Sequence, residues 1–184
     1  MKRISCAVAI AAVVVTLSGC VNTSPVSKDA WGWETRDVLE AWVVEQTDAA
    51  IAASELAEGW REIGHDSPRS WSADRDAVIE GIETRSCYSG GDVRPHELML
   101  DLVHDDPPHA FEAMARVREY WQSQGWQVGD LVPLDDEQSE DVQYVVARLE
   151  DGSALSIQGT ELAVVLSVTS ACSADISLEN FRYP

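Results

Sequence analysis

The chain has 184 residues, with 13 basic and 32 acidic side chains and a formal net charge of −19. A surface this acidic is repelled by phosphate backbones and anionic head groups, which excludes nucleic acid as the expected partner and a basic face as the route to a membrane. Seven tryptophans against two phenylalanines, without internal repeats or low-complexity tracts, suit one ordinary domain with a core of its own.

Met1-Lys2-Arg3 is a short basic start, and Ile4 to Leu17 is almost wholly apolar. That run is shorter than the roughly 20 residues of a spanning helix. It has the layout of a secretory signal: charged start, apolar middle, then small residues. Ser18 and Gly19 are those small residues, and Cys20 follows at once. Leu17-Ser18-Gly19-Cys20 resembles the lipobox of bacterial lipoproteins. The resemblance implies that the Cys20 thiol takes a diacylglyceryl group, that the chain is cut before Cys20, and that residues 1–19 are a signal peptide. Two acyl chains on one residue suffice for stable anchoring, so attachment is expected at the membrane surface rather than through it. An uncleaved anchor helix with an incidental cysteine is the alternative. Cutting there removes Lys2 and Arg3 and no acid, leaving 11 basic and 32 acidic side chains, net −21.

Cys6 lies within the signal and Cys20 is the lipidation residue, which leaves Cys87 and Cys172. In an oxidising envelope compartment such a pair reads as one disulfide, with two free catalytic thiols as the rival reading.

After Cys20, residues 20–33 read as a tether, and 34–184 as a single domain. Trp31 and Trp33 are unusual in a linker; they suit either packing on the domain or a head-group interface. Thr35 to Ile63 predicts a long helix, with Val38, Trp42, Gln46, Ala49, Ala53, Leu56, Trp60 and Ile63 as its apolar stripe and Gly64 as its stop. Val78 to Tyr88 and His96 to Val103 predict strands joined through Ser89-Gly90-Gly91-Asp92. In the second of these, Leu98, Leu100 and Leu102 share one face. Pro108 to Gln124 predicts a helix capped by Asp106 and closed by Gly125, and Trp126-Gln127-Val128 starts another strand. Val142 to Leu149, Ala154 to Gln158 and Glu161 to Thr169 predict three more. Asp151-Gly152 is a hairpin turn and Gly159-Thr160 a tight turn. Leu162, Val164, Leu166, Val168 and Cys172 share parity, which places Cys172 on or near the core face. The order α-ββ-α-ββββ predicts an α+β fold, a mostly antiparallel sheet with two helices on one face.

The lipobox, the long first helix, a cysteine in the first strand, Gly125-Trp126 and a cysteine closing the last strand together resemble small uncharacterised lipoproteins of actinobacteria. The resemblance implies a cell-envelope role and brings no catalytic residues with it.

His104-Asp105-Asp106-Pro107-Pro108-His109 is the most suggestive cluster for a metal, since His104, Asp105 and His109 are ligand types that a turn brings together. The competing account is that Asp and Pro belong at a strand-to-helix junction for capping alone. Asp135 to Asp141 has the acidity of a calcium loop. It lacks the glycine at position six and the glutamate at position twelve, so an exposed acidic loop is expected. No serine elbow, phosphate-binding loop or dinucleotide fingerprint is present.

The expectation is a non-enzymatic envelope lipoprotein without a cofactor. It meets the membrane through diacylglycerol on Cys20, and binds a basic envelope protein or a small ligand through the exposed sheet face or the loops around Gly90 and Asp135. A metal-dependent hydrolase built on His104 and His109 is one alternative. A carrier of apolar ligands with Trp42 and Trp60 lining a cavity is the other.

Overall fold

The computed structural model describes residues 31–63, 67–87, 94–130 and 142–179. Its first element is the helix α1 (Arg36–Ser54), which buries Leu39, Val43, Thr47, Ala50, Ile51 and Ser54. That stripe is rotated by one position from the anticipated one, so Val38 is 55% exposed and Trp42 is only partly buried. The helix also ends nine residues earlier than Ile63. The Ser54 hydroxyl donates to Ile51 O at 2.7 Å and accepts from the Leu56 N–H at 3.1 Å. Glu55 turns left-handed at φ 60°, and the Arg116 guanidinium reaches across to donate to Ser54 O at 2.7 Å. These bonds satisfy the terminal groups that another helical turn would have used.

Released from the helix, Trp60–Glu62 form the short strand β1. The stretch from Val78 to Tyr88, anticipated as a single strand, divides instead into the helix α2 (Arg75–Glu80) and the strand β2 (Glu83–Ser86). Val78 is the one buried residue of α2, so the segment has no period of two to extend. Arg69 donates to Ala77 O and so satisfies a carbonyl at the end of α2.

The strand β3 (His96–Asp105) follows its alternation, with Leu98, Leu100 and Leu102 buried. Then come the helix α3 (Ala110–Ser123) and the strands β4 (Gln127–Asp130), β5 (Gln143–Arg148), β6 (Ala154–Thr160) and β7 (Ala163–Thr169), with a 3-10 turn at Ile176–Leu178. The seven strands make one sheet in the order β1-β3-β7-β6-β5-β4, and β2 also pairs with β3. Among the described residues every strand pairing is antiparallel. β7 takes one edge of β3 over Met99 to Asp105; β1 and β2 lie end to end along the other.

One core joins the helices to one side of this sheet. Leu39 and Val43 of α1 and Met114, Val117 and Trp121 of α3 share it with Leu98, Leu100 and Leu102 of β3, with Val164, Leu166 and Val168 of β7, and with Leu155 and Ile157 of β6. The α+β layer is the expected one, with β1 and α2 as additions that the sequence did not separate.

The turns are partly as anticipated. At Asp151-Gly152, Asp151 Oδ1 accepts from the Ser153 N–H at 2.9 Å and Gly152 takes φ 90°, a conformation that favours glycine. Gly159-Thr160 is not a turn, since both residues pair within β6; the chain reverses at Glu161-Leu162. A Cβ on Gly159 would lie 2.5 Å from Ala163 O, so glycine is there for close strand approach. Asp106 does not cap α3 either. Its N–H donates to Leu162 O at 2.7 Å, and His109 occupies the cap position without a side-chain bond.

Candidate functional site

Cys20 and the loops around Gly90 and Asp135 lie outside the described residues. Cys87 and Cys172 form the disulfide, with their Cα atoms 6.2 Å apart. Cys172 does not sit on the core face as its parity suggested. Ser170 N–H donates to Leu98 O at 2.9 Å, while Ser173 and His96 exchange two backbone bonds at 2.8 Å. Three residues after Ser170 therefore match two before Leu98. That extra residue reverses the alternation, as a bulge does. Ser170 and Ser173 are buried, and Cys172 is turned to the other side, beside Glu97.

Glu97 Oε2 lies 3.7 Å from both Sγ atoms. Burial raises the Glu97 carboxyl above its ordinary range, and the charge of Arg85, its register partner on β2, opposes that shift. Among the described residues, Cys87, Glu97 and Cys172 are the one group of three such side chains whose ligand atoms all fall within 4.8 Å of one another. With the sulfurs bonded to each other there is no thiolate to ligate an ion, and the trio is a covalent staple with a carboxylate against it.

The histidine cluster does not converge. His104 points into the core, 8% exposed, with its ring edge-on to Trp60 at 5.5 Å and its Nδ1 3.0 Å from Asp105 O. Asp105 pairs outward with Arg61 at 2.5 Å. His109 is exposed, 3.9 Å from Glu112, beside an open hollow of about 320 Å³ shared with Pro107, Phe111 and Glu161. Trp60, proposed as a cavity wall, is 2% exposed within the core and donates its indole N–H to Leu56 O at 2.7 Å. A strand-to-helix junction explains the cluster's residue types.

The side of the sheet turned away from the helices carries a different pattern. Register places Asp101 of β3 beside Ser167 of β7, Ser167 beside Ser156 of β6, and Ser156 beside Val146 of β5. One row on, Val103, Val165, Gln158 and Tyr144 lie side by side. Asp101 is half-buried, and its Oδ1 is a buried oxygen with no hydrogen-bond partner. Such an atom ordinarily has one. Asp101 stands at the β3 end of this short row, beside Ser167, with one oxygen that the chain leaves unpaired. Alternation in β3 placed Asp101 opposite the leucines, but nothing in the sequence said it would be unpartnered.

No family profile and no curated protein matches the chain. In fold it is similar to a crystal structure of a DUF4853 family protein from Actinomyces odontolyticus ATCC 17982. The TM-score is 0.50 and the identity 13%, over 82% of this chain and 77% of that one. At this identity the likeness is one of fold, and it transfers no residue's role. Among the described residues, no helix is long and apolar enough to cross a membrane.

Proposed function

We propose that the protein is a cell-envelope lipoprotein, held at the extracytoplasmic face of the cell membrane by diacylglycerol on Cys20, and that it binds a basic envelope protein rather than catalysing a reaction. The observation that carries the anchor is the ordered run of Lys2-Arg3, the apolar stretch from Ile4 to Leu17, and Leu17-Ser18-Gly19-Cys20. The binding role is supported by the sheet face that the helices leave free, on which Asp101 of β3 is half-buried beside Ser167. A net charge of −21 after cleavage favours a cationic partner, and Asp101 suits a lysine or arginine side chain.

Two measurements test the two halves. Intact mass of detergent-extracted protein should show loss of residues 1–19 and gain of a diacylglyceryl group; a species that keeps Met1 to Gly19 overturns the anchor. A photocrosslinking residue in place of Ser156, used in the protein's own cells, should capture a basic envelope protein. Capture should weaken with added salt and vanish in Asp101→Lys, because opposed charges across an interface are screened and reversed. Capture indifferent to both changes sinks the binding role.

A further inference from the structure

We propose that the disulfide end of the domain is a membrane-facing surface, with Trp33 and Ile176 seated among lipid head groups. The inference rests on the anchor at Cys20. It says which end of the domain stands on the bilayer, which the anchor alone leaves open.

The chain enters the domain at one end of the sheet and is stitched there. Gly32 N–H donates to Cys172 O and Ala174 N–H donates to Gly32 O, both at 3.1 Å. The Ser173 hydroxyl donates to Glu34 O at 2.7 Å, and the Ser177 hydroxyl accepts from the Arg36 N–H at 2.9 Å. Residues 32–36 are thus fixed against 172–177, next to the Cys87–Cys172 bridge. Both β3 and α1 start at this end and run away from it. Ten residues of strand span about 33 Å and 19 residues of helix about 28 Å. His109, Glu161 and Leu162 lie at the opposite end.

Ten residues lie between Cys20 and Trp31, and the steps from one to the other, fully extended, reach at most about 36–40 Å. An anchor at Cys20 therefore holds the disulfide end within about 40 Å of the lipid, a leash longer than β3 itself, and the side chains at that end decide whether it settles on the bilayer. The two stitched segments each present an exposed large apolar side chain: Trp33 is 74% exposed and Ile176 is 75% exposed. An indole ring beside a lipid anchor gains by settling into the head-group layer, where its apolar body and its N–H are both accommodated. Glu34, Asp37 and Asp175 flank the patch, and Glu150 and Asp151 share the same end. The contact is therefore apolar and interfacial, and an anionic bilayer opposes it. Leu162, 75% exposed at the far end, is equally bare and supplies the contrast.

The test uses the full chain, reconstituted in phosphatidylcholine vesicles that carry a spin-labelled lipid with the label just below the head groups, and reads quenching of tryptophan fluorescence. Trp33→Phe should at least halve the quenched fraction. Leu162→Trp introduced into that variant should not restore it, and replacing part of the lipid by phosphatidylglycerol should lower the quenching of the unaltered chain. Equal quenching with and without Trp33, or recovery through Leu162→Trp, overturns the surface. Intact mass of the same sample reads the anchor separately. A lipidated chain without Trp33-dependent quenching ends the surface and keeps the anchor. An uncleaved chain with Trp33-dependent quenching ends the lipid reading and keeps the surface.

Discussion

Leu102 and Asp101 are neighbours in β3, yet they meet opposite surroundings. Leu102 is fully buried beneath the helices, in a row with Leu98 and Leu100. Asp101 points to the other face, among Ser167 and Ser156. The carboxylates sharpen the contrast. Glu62 stands opposite Leu102 in β1 and is 5% exposed. Arg69 takes both its oxygens, at 2.5 Å and 2.7 Å. Asp101 has an oxygen without any partner, and Glu97 meets two disulfide sulfurs. Under the helices an unpaired charge would forfeit its hydration with no return, so it is present only with its counter-ion. On the other face Asp101 is only half-buried, so the side chain as a whole keeps part of its contact with water. The two faces therefore treat a carboxylate differently: one holds Glu62 with its counter-ion, the other holds Asp101 half-exposed.

The largest effect expected from this contrast is on packing. Leu102→Ala should cost about 3–4 kcal/mol, the usual range for a leucine removed from a filled core. Val103→Ala, one residue along on the other face, should cost about 1 kcal/mol or less. Urea unfolding at unchanged m-value reads both. Equal losses would mean that the two faces are equally covered, and the contrast would fail.

The paired charge comes next. Arg69→Met leaves Glu62 buried and alone, and should cost about 2–4 kcal/mol, low in the range for a broken buried pair because Arg69 itself still reaches water. Adding Glu62→Gln should return part of that loss in a double-mutant cycle. Asp101→Asn, by comparison, should shift stability by no more than about 0.5 kcal/mol. If Arg69→Met is as mild as Asp101→Asn, position on the sheet does not govern what a carboxylate needs.

How far these features could be read in advance depended on range. The leucines of β3, the Asp151-Gly152 hairpin and the end of α3 at Gly125 rest on residues close in sequence, and local pattern revealed them. The end of α1 rests on Arg116, 62 residues away, donating to Ser54 O. No cap residue announces it, and the Ala-rich periodicity ran on to Ile63. Trp60 was correctly read as core, but in the wrong element. The Cys87–Cys172 pairing followed from counting thiols, whereas the side on which Cys172 lies depended on one extra residue between Ser170 and Ser173, which parity alone cannot reveal. The structure does not bring His104, Asp105 and His109 together, because strand alternation sends His104 inward and Asp105 outward, so neighbours in sequence are strangers in space. Asp101 was hidden for a further reason: a missing partner is a property of everything around a side chain, and one short stretch of sequence does not contain it.

The smallest expected effect concerns Glu97, and its sign depends on which face the residue occupies. Burial raises its carboxyl above the unfolded value, more than the charge of Arg85 lowers it. The native state therefore holds the Glu97 proton more tightly than the unfolded chain does. By linkage, that preference stabilises the fold fully below the unfolded glutamate value, near about 4.3. It is lost as pH rises from there through the raised native value, and above that the dependence is flat. Asp48 runs the other way. Desolvation pushes its carboxyl up, but the hydrogen bonds from Arg75 and Trp71 and the Arg75 charge outweigh this and leave it lowered. Its contribution is present above the usual aspartate value and is lost as pH falls through the lowered one. Glu97→Gln, compared with the unaltered protein, isolates the first behaviour. The variant should gain relative stability across the window above about pH 4, by a few tenths of a kcal/mol, because the half-buried side chain still meets screening solvent. A clasp like that of Glu62 would give the reverse, a variant that loses relative stability as pH rises. That outcome would place Glu97 with the paired acids of the helix side, and would show that the carboxylate against the disulfide has a counter-ion after all.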